Sequence, residues 1–478
     1  MFRRVFSTIE LALQNQGENL SYQNPFGAKE TTTFNWLANV APCFPLKADS
    51  VQIILEPKHF YDTLIGLCKN ATERISLVSL YLGTGELEKK FVDALLTNEN
   101  FLKKRLVVDI LLDFTRGSRF EPNSRTMLLP LLNKNDVTCN ISLYHTPALR
   151  GALKKYLPNR YNELLGLQHM KLYIFDDTLV ISGANLSNDY FTNRQDRYFI
   201  IKDRNLTDFY CGFINSVQKF SLKMDKHNNV SLCKDWNVSP YEGSKSKFVG
   251  QAKELIEDYL SHFQNNSCNK GKGYDTWVFP VFQMGQLGIE QDSMVTTAIL
   301  SEADPKSVLK IATGYFNLTD QYMETLIENC KARCEILMAH PKANGFLGAK
   351  GLAGGIPFAY SLIAHEFQKQ LRYRDQQSRI ILLEYLKNGW TYHAKGLWYY
   401  PENSQMPCMT MIGSPNFGDR SVTKDLETQV VILTENKELR EKLHRECERL
   451  YDHGILAQTH RKVPVWVHTF VTLFRSYF

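Results

Sequence analysis

The chain has 478 residues, enough for two domains, and 44% apolar with 12% aromatic residues supply ample material for buried cores. Lys and Arg number 56 against 50 Asp and Glu, a net charge of +6. That mild excess suits an anionic substrate or membrane surface, whereas a nucleic-acid binder would want a basic stripe with interleaved aromatics, which is missing. No apolar run reaches the ~18 residues that span a bilayer, and ten scattered cysteines without a CxxC pair argue for reduced thiols and against structural zinc.

The N-terminal segment, 1–44, opens MFRRVFSTIELAL, with Arg3 and Arg4 beside apolar residues and Ser7. It reads as a short mitochondrial presequence or as an amphipathic first helix, Glu10 weighing against the former. From there the chain alternates strand-like and helix-like patterns, which predicts a layered α/β fold. In a first half, 45–225, the strands are ERISLVSLYLG (73–83), RLVVDILLDF (105–114), ISLYHT (141–146) and the pair HMKLYIFDDTLVISGANLS (169–187). A polar, turn-rich junction occupies 226–274. The second half, 275–455, answers in order with SVLKIATGYFN (307–317), CEILMAH (334–340), SRIILLEY (378–385), HAKGLWYY (393–400) and CMTMIGSPNF (408–417). Helix-like stretches at 86–98, 319–331 and 437–451 lie between strands, so an internal repeat predicts a pseudo-twofold pair of domains. GLAGGIPFAYSLI (351–363) reads as an acyl-chain entry surface or a buried helix. The tail, 456–478, carries Trp466, Phe470, Phe474 and Phe478 among valines, flanked by Arg461, Lys462 and Arg475. It reads as an interfacial anchor or as a segment docked on the core.

Each half places His-x-Lys at the start of its fourth strand: His169 with Lys171, and His393 with Lys395. Strand alternation sends residues i and i+2 to one face, so each pair projects together. A glycine turn with Asn185 or Asn416 follows the next strand, and an acid, Asp196 or Glu427, comes eleven residues after its Asn. Displacement at a phosphodiester needs a nucleophile, an acid for the leaving oxygen and fixed positive charge on the equatorial oxygens. Two histidines fill the first two roles, in an order the sequence leaves open. The lysines and asparagines supply charge and donors, and Asp196 and Glu427 are candidates to hold a histidine's second ring nitrogen. One such motif is a common surface pattern; two in matching halves point to one shared active site.

These residues resemble the HxK(x)4D and GSxN motifs of the phospholipase D superfamily. The first copy matches through Asp176, while Tyr400 stands where the second Asp would be. Ala184 replaces Ser in the first GSxN, and Ser414 keeps it in the second. The resemblance implies two phospholipase D-like α/β/α domains and a structural rather than reactive role for the Asp. Across roughly 45–455, stretches such as SLYLGTGELE, LLDFTRGSR, GLQHMKLYIFD, SGANLSNDYFTNRQDRY, NGFLGAKG and GWTYHAKGLW are similar to the mitochondrial phosphatidylglycerophosphate synthases of eukaryotes. That resemblance implies transfer of a phosphatidyl group from CDP-diacylglycerol to glycerol 3-phosphate, through a phosphatidyl-histidine. It also implies peripheral contact with an anionic membrane, the mitochondrial inner membrane, with no nucleic acid, metal or other cofactor required. Candidates for substrate phosphates are Arg116, Arg119, Arg125, Arg194, Arg197 and Arg420, with Ser414, since guanidinium suits bidentate phosphate recognition.

Overall fold

The computed structural model describes residues 26–264, 273–349, 351–458 and 460–475. The N-terminal Arg3, Arg4, Ser7 and Glu10, and Phe478 of the tail, lie outside the described residues. Two nine-stranded mixed sheets dominate. In the first, the order is Val230–Leu232, Leu222–Met224, Cys139–Tyr144, Val107–Asp113, Arg74–Val78, Leu172–Phe175, Thr178–Ser182, Tyr198–Lys202 and Val51–Ile54. From Leu222–Met224 on, the second repeats eight of these: Gly454–Leu456, Ile380–Tyr385, Arg333–Ala339, Val308–Thr313, Gly396–Tyr400, Met409–Gly413, Leu426–Thr434 and Thr276–Met284, with Phe44–Leu46 added at its edge. In both, the three central strands run parallel and the rest of the principal ladder antiparallel. The parallel strands are buried on both faces and accordingly read as continuous apolar runs. The repeat therefore extends beyond the five strands expected, to Tyr198–Lys202 with Leu426–Thr434, Val51–Ile54 with Thr276–Met284, and Leu222–Met224 with Gly454–Leu456.

Three apolar cores hold the layers together. One covers the outer face of each sheet, and a central one is built by both halves. Its helices are Arg204–Lys219, Lys245–Gln264 and Lys437–Tyr451. Phe213 of the first stacks on Phe282 of the second sheet at 4.2 Å between ring centroids. The helix Lys245–Gln264 lies inside what reads in sequence as a polar connection. Its apolar residues Phe248, Ala252, Ile256 and Leu260 recur every fourth position, so a single stripe is buried while the rest stays polar.

Two further differences concern the N-terminal region. Phe44–Leu46 pairs with Thr276–Val278 of the second sheet, away from the half that follows it in sequence. Upstream, Phe26 meets the Trp277 ring edge-on at 4.9 Å, and Phe34 meets Tyr399 at 4.9 Å, so residues 26–44 cover the second half's outer core. Burial of those aromatics explains the placement. Among the described residues eight cysteines are free thiols, but Cys43 is disulfide-bonded, against the expectation of a fully reduced set, and no sequence spacing signals it.

Candidate active site

The two histidines enter the centre by pairing with the opposite half. His169 N–H donates to the Leu426 carbonyl at 2.9 Å, and His393 N–H to the Gln195 carbonyl at 2.8 Å. Thr391–Tyr392 and Arg194–Gln195 form a short two-stranded ribbon. Each histidine therefore lies beside the segment that carries the other half's acid. His169 Nδ1 is 2.9 Å from Glu427 Oε1, and His393 Nδ1 is 2.7 Å from Asp196 Oδ2. The acids hold the histidines crosswise. An Nδ1–H donated to a carboxylate fixes the tautomer and leaves Nε2 with its lone pair. On His393 that nitrogen faces the Tyr190 hydroxyl at 3.2 Å and Lys395 Nζ at 3.0 Å. Among the described residues none bonds His169 Nε2.

The lysines follow their histidines as alternation predicts. Lys171 Nζ donates to the His169 carbonyl at 2.6 Å and Lys395 Nζ to the His393 carbonyl at 3.0 Å. All six groups are buried, and burial is the largest cause of every shift among them. It pushes both histidines well below their ordinary value, with the neighbouring lysines adding to the effect, so both are neutral at pH 7. Lys171 falls well below its usual range and Lys395 to about 8, each partly restored by Asp196 and Glu427. Asp196 rises to about 6 and Glu427 to about 7.

The turns that carry the asparagines need glycine for space. A Cβ on Gly183 would stand 2.8 Å from Asp196 Oδ1 and 3.1 Å from Lys395 Cδ. One on Gly413 would enter the backbone of Thr428 and the Gln429 side chain. Behind the turns, Asn185 Oδ1 and Asn416 Oδ1 are buried without a hydrogen-bond partner, as is Glu427 Oε2. Such orphans are rare in an interior, and as acceptors they mark where a donor such as a hydroxyl would be received. Ser414 exchanges hydrogen bonds with Thr428 (Oγ to carbonyl, 3.2 Å; N–H to Oγ, 3.2 Å), which spends its one hydroxyl hydrogen on the backbone of the neighbouring strand. Ser421 Oγ donates to Glu427 Oε1 at 2.9 Å.

A search for family models matched none to the chain. Curated relatives are close. The chain is 41% identical to the mitochondrial CDP-diacylglycerol–glycerol-3-phosphate 3-phosphatidyltransferase of Gallus gallus, and 41% to that of Homo sapiens; each match covers 93% of this chain and 86% of the relative. The enzyme of that name from Saccharomyces cerevisiae is 35% identical over 90% of this chain and 87% of its own length. The chain belongs to the CDP-diacylglycerol–glycerol-3-phosphate 3-phosphatidyltransferase family. A crystal structure of phosphatidylserine synthase from Haemophilus influenzae superposes with a TM-score of 0.72 over 94% of this chain and 97% of the other, at 20% identity, which supports the two-domain fold alone.

Within the family's site, several expected residues lie elsewhere. Asp176, at the far end of the strand from His169, accepts from the backbone N–H groups of Thr72, Glu73 and Arg74, the shortest at 2.8 Å, and stands in a positive-φ turn. Those bonds hold its carboxyl below the usual range; it staples a strand and touches no reacting group. In the second half Tyr400 takes the corresponding place, its hydroxyl 3.3 Å from His444 Nδ1. Arg197 is fully buried and committed: Nε and Nη2 bind Glu446 at 2.7 and 2.9 Å, and Nη1 the Met411 carbonyl at 2.7 Å. No donor of it is left for a phosphate. Arg125 donates to the side chain and carbonyl of Asn228, tying a helix start to a distant hairpin.

Four arginines do face the centre's surroundings. Arg194 lies over the Tyr190 ring at 4.7 Å and binds Asp189 at 3.0 Å. Arg116 and Arg119 share Glu163, at 3.5 and 2.7 Å, and Arg420 binds Asp425 at 3.0 Å within reach of the same Glu163 charge. The residues sequence reasoning missed are Tyr190, Ser421, Asp425 and Asp113, whose carboxylate accepts from Gln168 N–H at 3.1 Å just before His169. Tyr190 and Ser421 each stand five residues after their Asn, a signal the repeat itself carried. His169, Asp425 and Glu427 present ligand atoms within 4.8 Å of one another, a set with metal-binding chemistry. Arg420 already neutralises Asp425, and Lys171 stands beside Glu427, so a cation there would meet positive charge.

Proposed function

We propose that the chain transfers the phosphatidyl group of CDP-diacylglycerol to glycerol 3-phosphate, releasing CMP, by two displacements at the crossed histidine–acid pairs. The reaction is the one its family is named for; the crossed pairing of His169 with Glu427 and His393 with Asp196 carries the mechanism. His169 is the proposed nucleophile, because its Nε2 lone pair is unengaged while that of His393 meets Tyr190 and Lys395. In the first step a bond forms from His169 Nε2 to the phosphorus bearing diacylglycerol. The bond from that phosphorus to the CMP oxygen breaks, and CMP leaves as its phosphate anion, while His393 stays neutral with its Nε2 lone pair available for the second step. In the second step His393 accepts the proton of the acceptor's primary hydroxyl, whose oxygen displaces the histidine.

Lys171, Lys395, Asn185 and Asn416 stabilise the equatorial oxygens, so positive charge and donors come from side chains without a metal in either step. Arg116, Arg119 and Arg420 are proposed to hold the acceptor's phosphate, and Arg194 the donor's, on the strength of their positions around the histidines. The vertebrate relatives are named mitochondrial, and we assign this chain to that compartment. No described helix is long and apolar enough to cross a membrane, so the proposed contact with an anionic bilayer is peripheral.

The test uses purified chain, CDP-diacylglycerol in micelles and labelled glycerol 3-phosphate. Label entering lipid with stoichiometric CMP, lost in His169→Ala and His393→Ala, supports the reading. Label from the donor retained on protein after quenching in His393→Ala, and not in His169→Ala, supports His169 as nucleophile. CMP release without transfer of label to lipid overturns the transferase reading.

A further inference from the structure

The helix Val465–Phe474 contains no charged side chain, yet it lies on the surface. A surface helix ordinarily turns a polar face to water, and one apolar around its circumference is buried in protein or in lipid. Here only one side is accounted for. Val467 is fully buried, Val471 packs on the second half's outer core, and the Trp466 ring sits so tightly on Gly355 that any side chain there would collide with it. Arg475 fastens the end, binding Asp320 at 2.9 Å. The other side presents Val465, 84% exposed, Leu473, 65%, Trp466, 45%, and Phe474, 44%, alongside the uncharged His468, Thr469 and Thr472. At ten residues, about 15 Å, the helix is too short to span a bilayer.

Its position ties it to the chemistry. Gly355 caps the helix Ile356–Tyr373, whose Tyr360 stacks on Tyr315 at 5.3 Å, and the Tyr315 ring lies 5.5 Å from that of His393. The apolar face and the reacting centre are thus joined by one helix and two rings. Exposed Lys462 precedes the helix, the arrangement of an interfacial segment whose apolar face enters the acyl layer while a flanking cation meets lipid phosphates; Arg475, at the other end, is taken up by Asp320.

We infer that Val465–Phe474 is the surface on which the molecule sits on an anionic lipid bilayer, in-plane, holding the His393 side of the site at the headgroup level. This rests on the proposed function, since the donor substrate is then a lipid in that bilayer, and the experiment separates the two.

Sedimentation is measured with phosphatidylcholine vesicles, plain or mixed with phosphatidylserine, for the native chain and for V465D/L473D, both outward positions. Turnover is measured in parallel with CDP-diacylglycerol in vesicles and with a short-chain analogue that stays monomeric in water. The expected result is sedimentation of the native chain with the anionic vesicles, weakened about ten-fold or more in the variant. Activity on vesicles should fall with it, and activity on the short-chain analogue should be unchanged. Thr469→Glu, midway along the same face, reads the same outcome where the double variant loses its fold. Equal vesicle binding by native chain and variants overturns the inference. So does a native dimer that the variants dissociate without change in vesicle binding, because a second copy then covers the face. A native chain that binds vesicles but turns over neither substrate refutes the transferase reading and leaves the docking surface standing.

Discussion

Asp196 and Glu427 each act on the histidine of the other half, and that crossing has consequences a sequence-adjacent pairing would not have. Asp196→Asn is expected to impair His393, and Glu427→Gln to impair His169, each lowering kcat by roughly 10²–10⁴ as the ring loses its tautomer and orientation. Because each acid works through its histidine, D196N/H393A is expected to be little worse than H393A, whereas D196N/E427Q compounds two losses; kcat for the singles and doubles decides. The lysines set the alkaline side of the pH profile. Lys395, lowered to about 8 by burial, loses its charge as the pH rises through that value, so kcat/KM falls there. Lys395→Arg stays charged, and its residual activity is expected to keep a plateau to higher pH in the same titration. The histidines and lysines are legible from spacing alone, since the repeat marks them twice. The arginines are not, because sequence does not tell an arginine such as Arg197, spent on Glu446 and two carbonyls, from one that is free for substrate.

At the level of elements, the strand-to-turn joints do the positioning. The glycine that opens each Gly-Ala-Asn or Gly-Ser-Pro-Asn turn is there because the opposite half's machinery passes within contact of it. Gly183→Ala is expected to press on Asp196 and Lys395, lowering kcat more than it raises KM. Its stability cost should be about 1–3 kcal/mol, read as a drop in Tm. The strands were readable from their apolar runs, and the helices Glu86–Leu96 and Lys437–Tyr451 from their periodicity. Lys245–Gln264 was hidden by its polar majority, since one buried stripe of four residues suffices when a neighbouring helix and sheet supply the rest of the core. The stretch 319–331 reads as one helix but forms a short helix, Asp320–Glu324, followed by a π-turn over Thr325–Asn329.

At the scale of the whole molecule the halves are inseparable. Arg197, from the first sheet, lies 3.8 Å over Trp398 and pairs with Glu446 of the second half's last helix, both buried. Removing one partner leaves a buried charge unpaired, so Arg197→Ala is expected to cost about 3–5 kcal/mol in denaturant unfolding; enough folded protein should show an unchanged KM for glycerol 3-phosphate. The sequence by itself determined the α/β class, the repeat and the two His-x-Lys pairs proposed to carry the reaction, because strand periodicity and motif spacing are local and were written twice. It did not determine which acid serves which histidine, that residues 26–46 belong with the second sheet, or that Asp176 and Arg197 are structural. Those depend on which backbone segments pair across the two halves and on what becomes buried when they do. Burial and cross-half contact exist only once the central core has closed.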